Sequence, residues 1–262
     1  MQKLLATLSA LVLFTACASS SATKPGTAPK PQATRIVTHV VTHDAKLIGS
    51  AVGGVRVVIR DVVTDRILAE GRHDGGTGDT KRIMQEPRKR GDTTFTAADG
   101  ARYEASVQLS APTMVEISAE GPLGYPDQLT RASKRLLLLP GRDVGGDGIV
   151  LELHGFIIDV MGPDTTQALP ASAPLKIRAR VRMLCSCPTQ PGGMWEVRDI
   201  TARLMRGDIM MREAKLAYGG EQSMYTGEIA AVEPGVYVLE VIAASPGSAT
   251  FGVVRRRITI VR

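Results

Sequence analysis

Three cysteines, four histidines, one tryptophan and four phenylalanines are all that 262 residues supply of those types. The patterns that would put such residues to chemical use are missing. Neither a Gly-x-Ser-x-Gly elbow nor a His-Glu-x-x-His helix occurs, so the serine-hydrolase and zinc-protease signatures are absent. No Cys-x-x-Cys occurs, which removes the spacing that lowers a thiol pKa in redox enzymes. Gly75-Gly76-Thr77-Gly78-Asp79-Thr80 is rich in glycine, but no Lys-Ser/Thr pair follows it, and it reads as a flexible loop. Asp143 and Asp147 imitate part of a calcium loop, yet Glu152 comes too early to close it, so that run reads as a turn between strands. Catalysis is therefore the least favoured class, and the chain is expected not to be an enzyme.

Charge is in modest excess. The net charge is +6, and the basic runs Arg88-Lys89-Arg90 and Arg255-Arg256-Arg257 have no aromatic residues interleaved. Both read as solvated faces, and nucleic acid is not an expected partner. A sequence pI near 9.4 leaves an anionic partner such as lipid headgroups open.

Long apolar runs are also missing, apart from one at the N-terminus. After Lys3 the segment Leu4 to Phe14 is apolar and ends in small residues at Cys17. It is too short to cross about 30 Å of hydrocarbon and has the form of a secretory signal. The sequence Leu13-Phe14-Thr15-Ala16-Cys17 resembles a bacterial lipoprotein box, although Phe14 stands where leucine is usual. The resemblance implies a signal peptide over 1–16 and a lipid (palmitate among its acyl chains) on Cys17. It also implies an outer-membrane lipoprotein facing the periplasm, since Ala18 is not the aspartate of inner-membrane retention. The following Ser/Ala/Pro/Lys stretch cannot build a core, and 17–34 reads as a disordered tether.

Apolar residues beyond the tether alternate rather than recur every three or four positions, which predicts strands and no amphipathic helix. Arg35 to His43, Val55 to Arg60, Tyr103 to Leu109, Thr113 to Ala119 and Ile149 to Leu153 are the expected strands. Thr64-Asp65, Asp99-Gly100 and Gly207-Asp208 are the expected turns. Tyr237, Leu239, Val241 and Ala243 fall on one face at period two and should line a sandwich interior. The fold class is all-β, with two sandwiches in series.

Two family likenesses accompany this reading. GVRVVIRDVVTDRILAEG together with DGARYEASVQLSAPTMVEISAEGPLG resembles the carboxypeptidase regulatory-like, transthyretin-like sandwich, over residues 35–155. DITARLMRGDIMMREAKLAYGGEQSMYTGEIAAVEPGVYVLEV resembles the YtkA/FixH-like immunoglobulin-type domain, over 156–262. The first implies a non-catalytic module. The second implies the same, with copper handling among some relatives.

The remaining chemistry lies in histidine and cysteine. His39 and His43 are four apart, but along a strand that separation is about 13 Å, too far for one metal near 2 Å from each. His73 and His154 stand singly and read as surface or satisfied polar residues. Cys185 and Cys187 extend the apolar stripe Ile177, Ala179, Val181, Met183, broken only by Leu184. Three readings stay open for them: core hydrophobes, a disulfide with a bend at Ser186 before Pro188, or a soft-metal site. In the last, copper(I) would take both thiolates and a thioether from Met183, Met194, Met210, Met211 or Met224. The functional expectation is an accessory, scaffolding or ligand-binding module of the cell envelope, with an envelope protein as partner and copper binding or delivery as the alternative.

Overall fold

The computed structural model describes residues 29–96, 98 and 100–262. The signal segment, Cys17 and most of the tether lie outside the described residues, as does Asp99 of one expected turn.

The first sandwich has seven strands: β1 (Gln32–Thr42), β2 (Val55–Asp61), β3 (Ile67–His73), β4 (Tyr103–Leu109), β5 (Thr113–Gly121), β6 (Thr130–Leu138) and β7 (Val144–Leu153). One sheet has the order β4-β1-β7, the other β3-β2-β5-β6. β1 runs antiparallel to β4 and parallel to β7, so its inward residues Ile36 and Val40 meet Ile149, Leu151 and Leu153 in a single core with Val57, Ile59, Val115 and Ile117. Alternation produced this: Val55, Val57 and Ile59 are fully buried, while Arg56 between them is exposed.

Three features differ from expectation. β1 begins at Gln32, inside the stretch read as tether, because Gln32 to Thr38 pair with β4 and the Thr34 hydroxyl donates to Leu139 O and accepts from Gly141 N. The Asp143–Gly148 run is largely strand, since β7 starts at Val144. There the Asp147 carboxylate accepts the backbone N–H groups of Thr94 and Phe95. The Gly75–Thr80 stretch is anchored: Gly75 O accepts from Ser50 N, and Gly75 stands at φ +133°, with no room for a Cβ beside Ala101. The insertion it opens lies across the outer face of β1 and β7, where Ile83 and Phe95 form a small core with Val41 and Leu47.

The second sandwich has nine strands: β8 (Phe156–Gly162), β9 (Ala168–Pro170), β10 (Leu175–Met183), β11 (Asp199–Arg206), β12 (Ile209–Lys215), β13 (Ala217–Tyr218), β14 (Met224–Ile229), β15 (Gly235–Ser245) and β16 (Thr250–Val261). The sheets are β13-β14-β10-β8 and β12-β11-β15-β16-β9. Tyr237, Leu239, Val241 and Ala243 all face inward with at most 1% exposure. Helical structure among the described residues is limited to turns of three to five residues, and none of it is long and apolar enough to cross a membrane.

Candidate functional site at the junction of the sandwiches

Two of the histidines singled out in the sequence, His43 and His154, meet where β7 passes into β8. Only His154 and Gly155 separate those strands, so the linker keeps the ends of the two sandwiches close together.

Each domain places side chains in the other's core. Ile157 and Leu184 of the second sandwich, both fully buried, belong to the core of the first, and Ala45 of the first belongs to the core of the second. This explains the one break in the KIRARVRMLCSC alternation. Leu184 leaves the stripe because its environment is the neighbouring domain.

Polar contacts complete the seam. Arg182 donates to the Tyr125 hydroxyl (2.7 Å), to the Asp159 carboxylate (2.9 Å) and to the Ser186 hydroxyl (2.7 Å). The Gln128 side chain both donates to Ile158 O and accepts from Ile158 N. Trp195 Nε1 donates to Asp44 O at 3.0 Å, and Arg256 pairs with Asp127 at 2.7 Å. The second basic run is thus partly spent on ion pairs, Arg255 with Glu240 and Arg256 with Asp127. In the first, Arg88 stacks 5.5 Å from the centre of the Phe95 ring.

Cys185 and Cys187 lie past the end of β10, on a turn, and are bonded to each other with their Cα atoms 5.3 Å apart. Ser186 between them is at φ +65°, the bend that lets residues two apart approach. The turn is closed by Ser186 N donating to Met183 O and Met183 N to Cys187 O. Both sulfur-bearing side chains are buried, Met183 is buried, and Met194 is exposed on the following loop. The copper set expected from Cys185, Cys187, Met183 and Met194 therefore offers no thiolate in this form, because each sulfur is committed to the other. Of the other thioethers, Met224 is buried and Met210 points to solvent.

The histidines divide into two kinds. His73 is fully buried, its Nδ1 donating to Ile48 O and its Nε2 accepting from Val40 N, and burial pushes its pKa down to about 4. It is a neutral part of the core. His39 is also buried, its Nδ1 2.8 Å from Asp147 O. It does not meet His43, as strand spacing requires.

His43 instead meets residues that the sequence separates from it by more than a hundred positions. β1 and β7 are paired in parallel with Val41 opposite Glu152 and Thr42 opposite Leu153, and His43 N continues the ladder by donating to Leu153 O. The next positions along that line are His43 and His154. Their rings stack with centroids 4.2 Å apart, close to the spacing of paired strands. Glu152 and His154, two apart, share a face, and the Glu152 carboxylate lies 2.7 Å from His43 Nδ1. The Glu-x-His spacing across the end of β7 is visible in the sequence, whereas the parallel pairing that adds His43 is not.

His43 of this cluster lines two hollows. On one side is a groove of ≈ 970 Å³ under the insertion, reaching from Met84, Arg88 and Phe95 to His43 and Glu152. On the other is a small cavity of ≈ 70 Å³ between the domains, bounded by His43, Met183, Trp195 and Ser248.

No protein-family model matches the chain, and no curated protein matches it. Among solved structures, an engineered protein aligns over 48% of this chain and 24% of its own at 19% identity, with a TM-score of 0.30. A DUF3823 family protein from Parabacteroides merdae aligns over 88% of this chain and 99% of its own at 9% identity, TM-score 0.28. Fibronectin(III)-like modules of Clostridium thermocellum CbhA align over 87% and 93% at 11% identity, TM-score 0.28. At these scores the likenesses establish no relationship.

Proposed function

We propose that this chain is a non-catalytic, lipid-anchored module of the cell envelope that presents two β-sandwiches to a partner as one rigid unit. The observation that carries the proposal is the interlocked seam: Leu184 and Ile157 buried in the neighbouring core, with Arg182 bonded across the boundary to Tyr125. A flexible pair of domains would leave the distance between its surfaces free. Here every exposed edge and the groove beside Phe95 keep a set position relative to Gln32, where the tether meets the fold. That property suits scaffolding or ligand presentation, and the lipoprotein box at Cys17 supplies the anchoring.

Metabolic labelling with radioactive palmitate and membrane fractionation of the natural chain and of Cys17→Ser test the proposal. Label and membrane association in the former, with loss of both in the latter, support it. A natural chain that fractionates as soluble and carries no label overturns the anchored reading.

A further inference from the structure

We infer that His43, Glu152 and His154 form a site for a divalent late first-row metal ion, zinc first, at the hinge between the two sandwiches. One ligand atom from each of the three lies within 4.8 Å of the others. Ligands about 2.0–2.1 Å from a tetrahedral zinc sit roughly 3.4 Å from one another, so the shift required is within reach of partly exposed side-chain rotations. The 2.7 Å between His43 Nδ1 and the Glu152 carboxylate is shorter than that spacing, so this pair only has to open slightly around an ion. A metal taking the place of a proton between them releases that proton to solvent. The stacked imidazoles must splay for their in-plane lone pairs to converge, and the groove and the small cavity, both of which His43 lines, give that ring room to turn.

The donor set selects the ion. Two imidazoles and one carboxylate suit zinc, with copper(II) and nickel(II) competing, and do not suit calcium or magnesium, which prefer oxygen ligands alone. Three protein ligands leave a fourth position open toward the groove, where a water or a group from a bound partner can sit.

Placement gives the ion a mechanical role. His43 and Glu152 belong to the end of the first sandwich, while His154 is half of the two-residue linker. Its Nδ1 lies 3.3 Å from Ser248 O of the second sandwich. A metal bound here cross-links the linker to β1 and reinforces the seam at the point where hinging would begin.

The test is zinc titration by calorimetry into the full chain, stripped of metal and purified without a histidine tag. One equivalent should bind, and His43→Ala, His154→Ala and Glu152→Gln should each weaken binding at least about tenfold. The Cys185→Ser/Cys187→Ser pair should leave zinc affinity unchanged. Circular dichroism confirms that each variant is folded, and Glu152→Gln, an exposed near-isosteric change, keeps the test valid should a histidine variant unfold. Absence of a saturable single equivalent overturns the inference. So does undiminished affinity in folded Glu152→Gln, His43→Ala or His154→Ala.

Discussion

Arg182, at the end of β10 in the second sandwich, donates a 2.7 Å hydrogen bond to the hydroxyl of Tyr125 in the first, and its guanidinium lies 5.8 Å from the centre of that ring. The same guanidinium holds Asp159 and the Ser186 hydroxyl, so one side chain ties together the disulfide turn, β8 and the neighbouring domain.

Replacing Arg182 with alanine removes all three bonds and leaves Asp159, largely shielded from water, without its counter-charge. The expected cost is about 2–3 kcal/mol, at the upper end for hydrogen bonds to charged groups. Urea unfolding monitored by circular dichroism should show it, with a single transition in the natural chain becoming two as the domains lose their coupling.

Leu184→Ala should cost about 2–5 kcal/mol, the range for emptying a buried leucine site. The location of the damage is the sharper expectation. Although Leu184 follows β10 of the second sandwich, hydrogen exchange should rise in β1 and β7 of the first, whose core it fills.

Replacing both Cys185 and Cys187 with serine should cost only about 1–2 kcal/mol, because the closed loop is very short and its closure entropy small. Intact mass without reduction should show the natural chain two hydrogens lighter than the reduced form. The oxidised protein should not take up copper(I) at these positions, since neither sulfur is a free thiolate.

Acid should weaken the fold through His73. Its ordinary pKa near 6.5 falls to about 4 in the folded state, so between those values the unfolded chain binds the extra proton. Its contribution is fully present above about pH 6.5, declines as pH falls toward 4 and is flat below that. The total is about 3 kcal/mol over the window. Unfolding free energy measured against pH should follow this course, and His73→Gln should flatten it.

Much of the strand pattern was legible because alternation is local. Tyr103–Leu109 falls where the sequence places it, and the stripe Ile177 to Met183 is buried as read. The junction was not legible, because its members are joined by pairing over long separations. His43 meets Glu152 through a parallel β1–β7 ladder, and Leu184, just past the end of β10, is out of phase with that strand because it serves the core of the first sandwich. Alternation continues the strand through Cys185 and Cys187, but it ends at Met183. Both sulfurs still reach the core of their own sandwich, through a turn that brings Pro188 back beside Arg182, a bend that periodicity does not encode.

Locking of the two sandwiches into one body is tested most directly by pulsed dipolar spectroscopy. Spin-labelled unnatural amino acids at Val63 and Ile209, exposed turn and strand-end positions on opposite domains, leave every cysteine untouched. A single narrow distance distribution is expected for the full chain in detergent, broadening when Arg182→Ala and Leu184→Ala are combined. A broad or multimodal distribution in the natural chain would contradict the rigid seam.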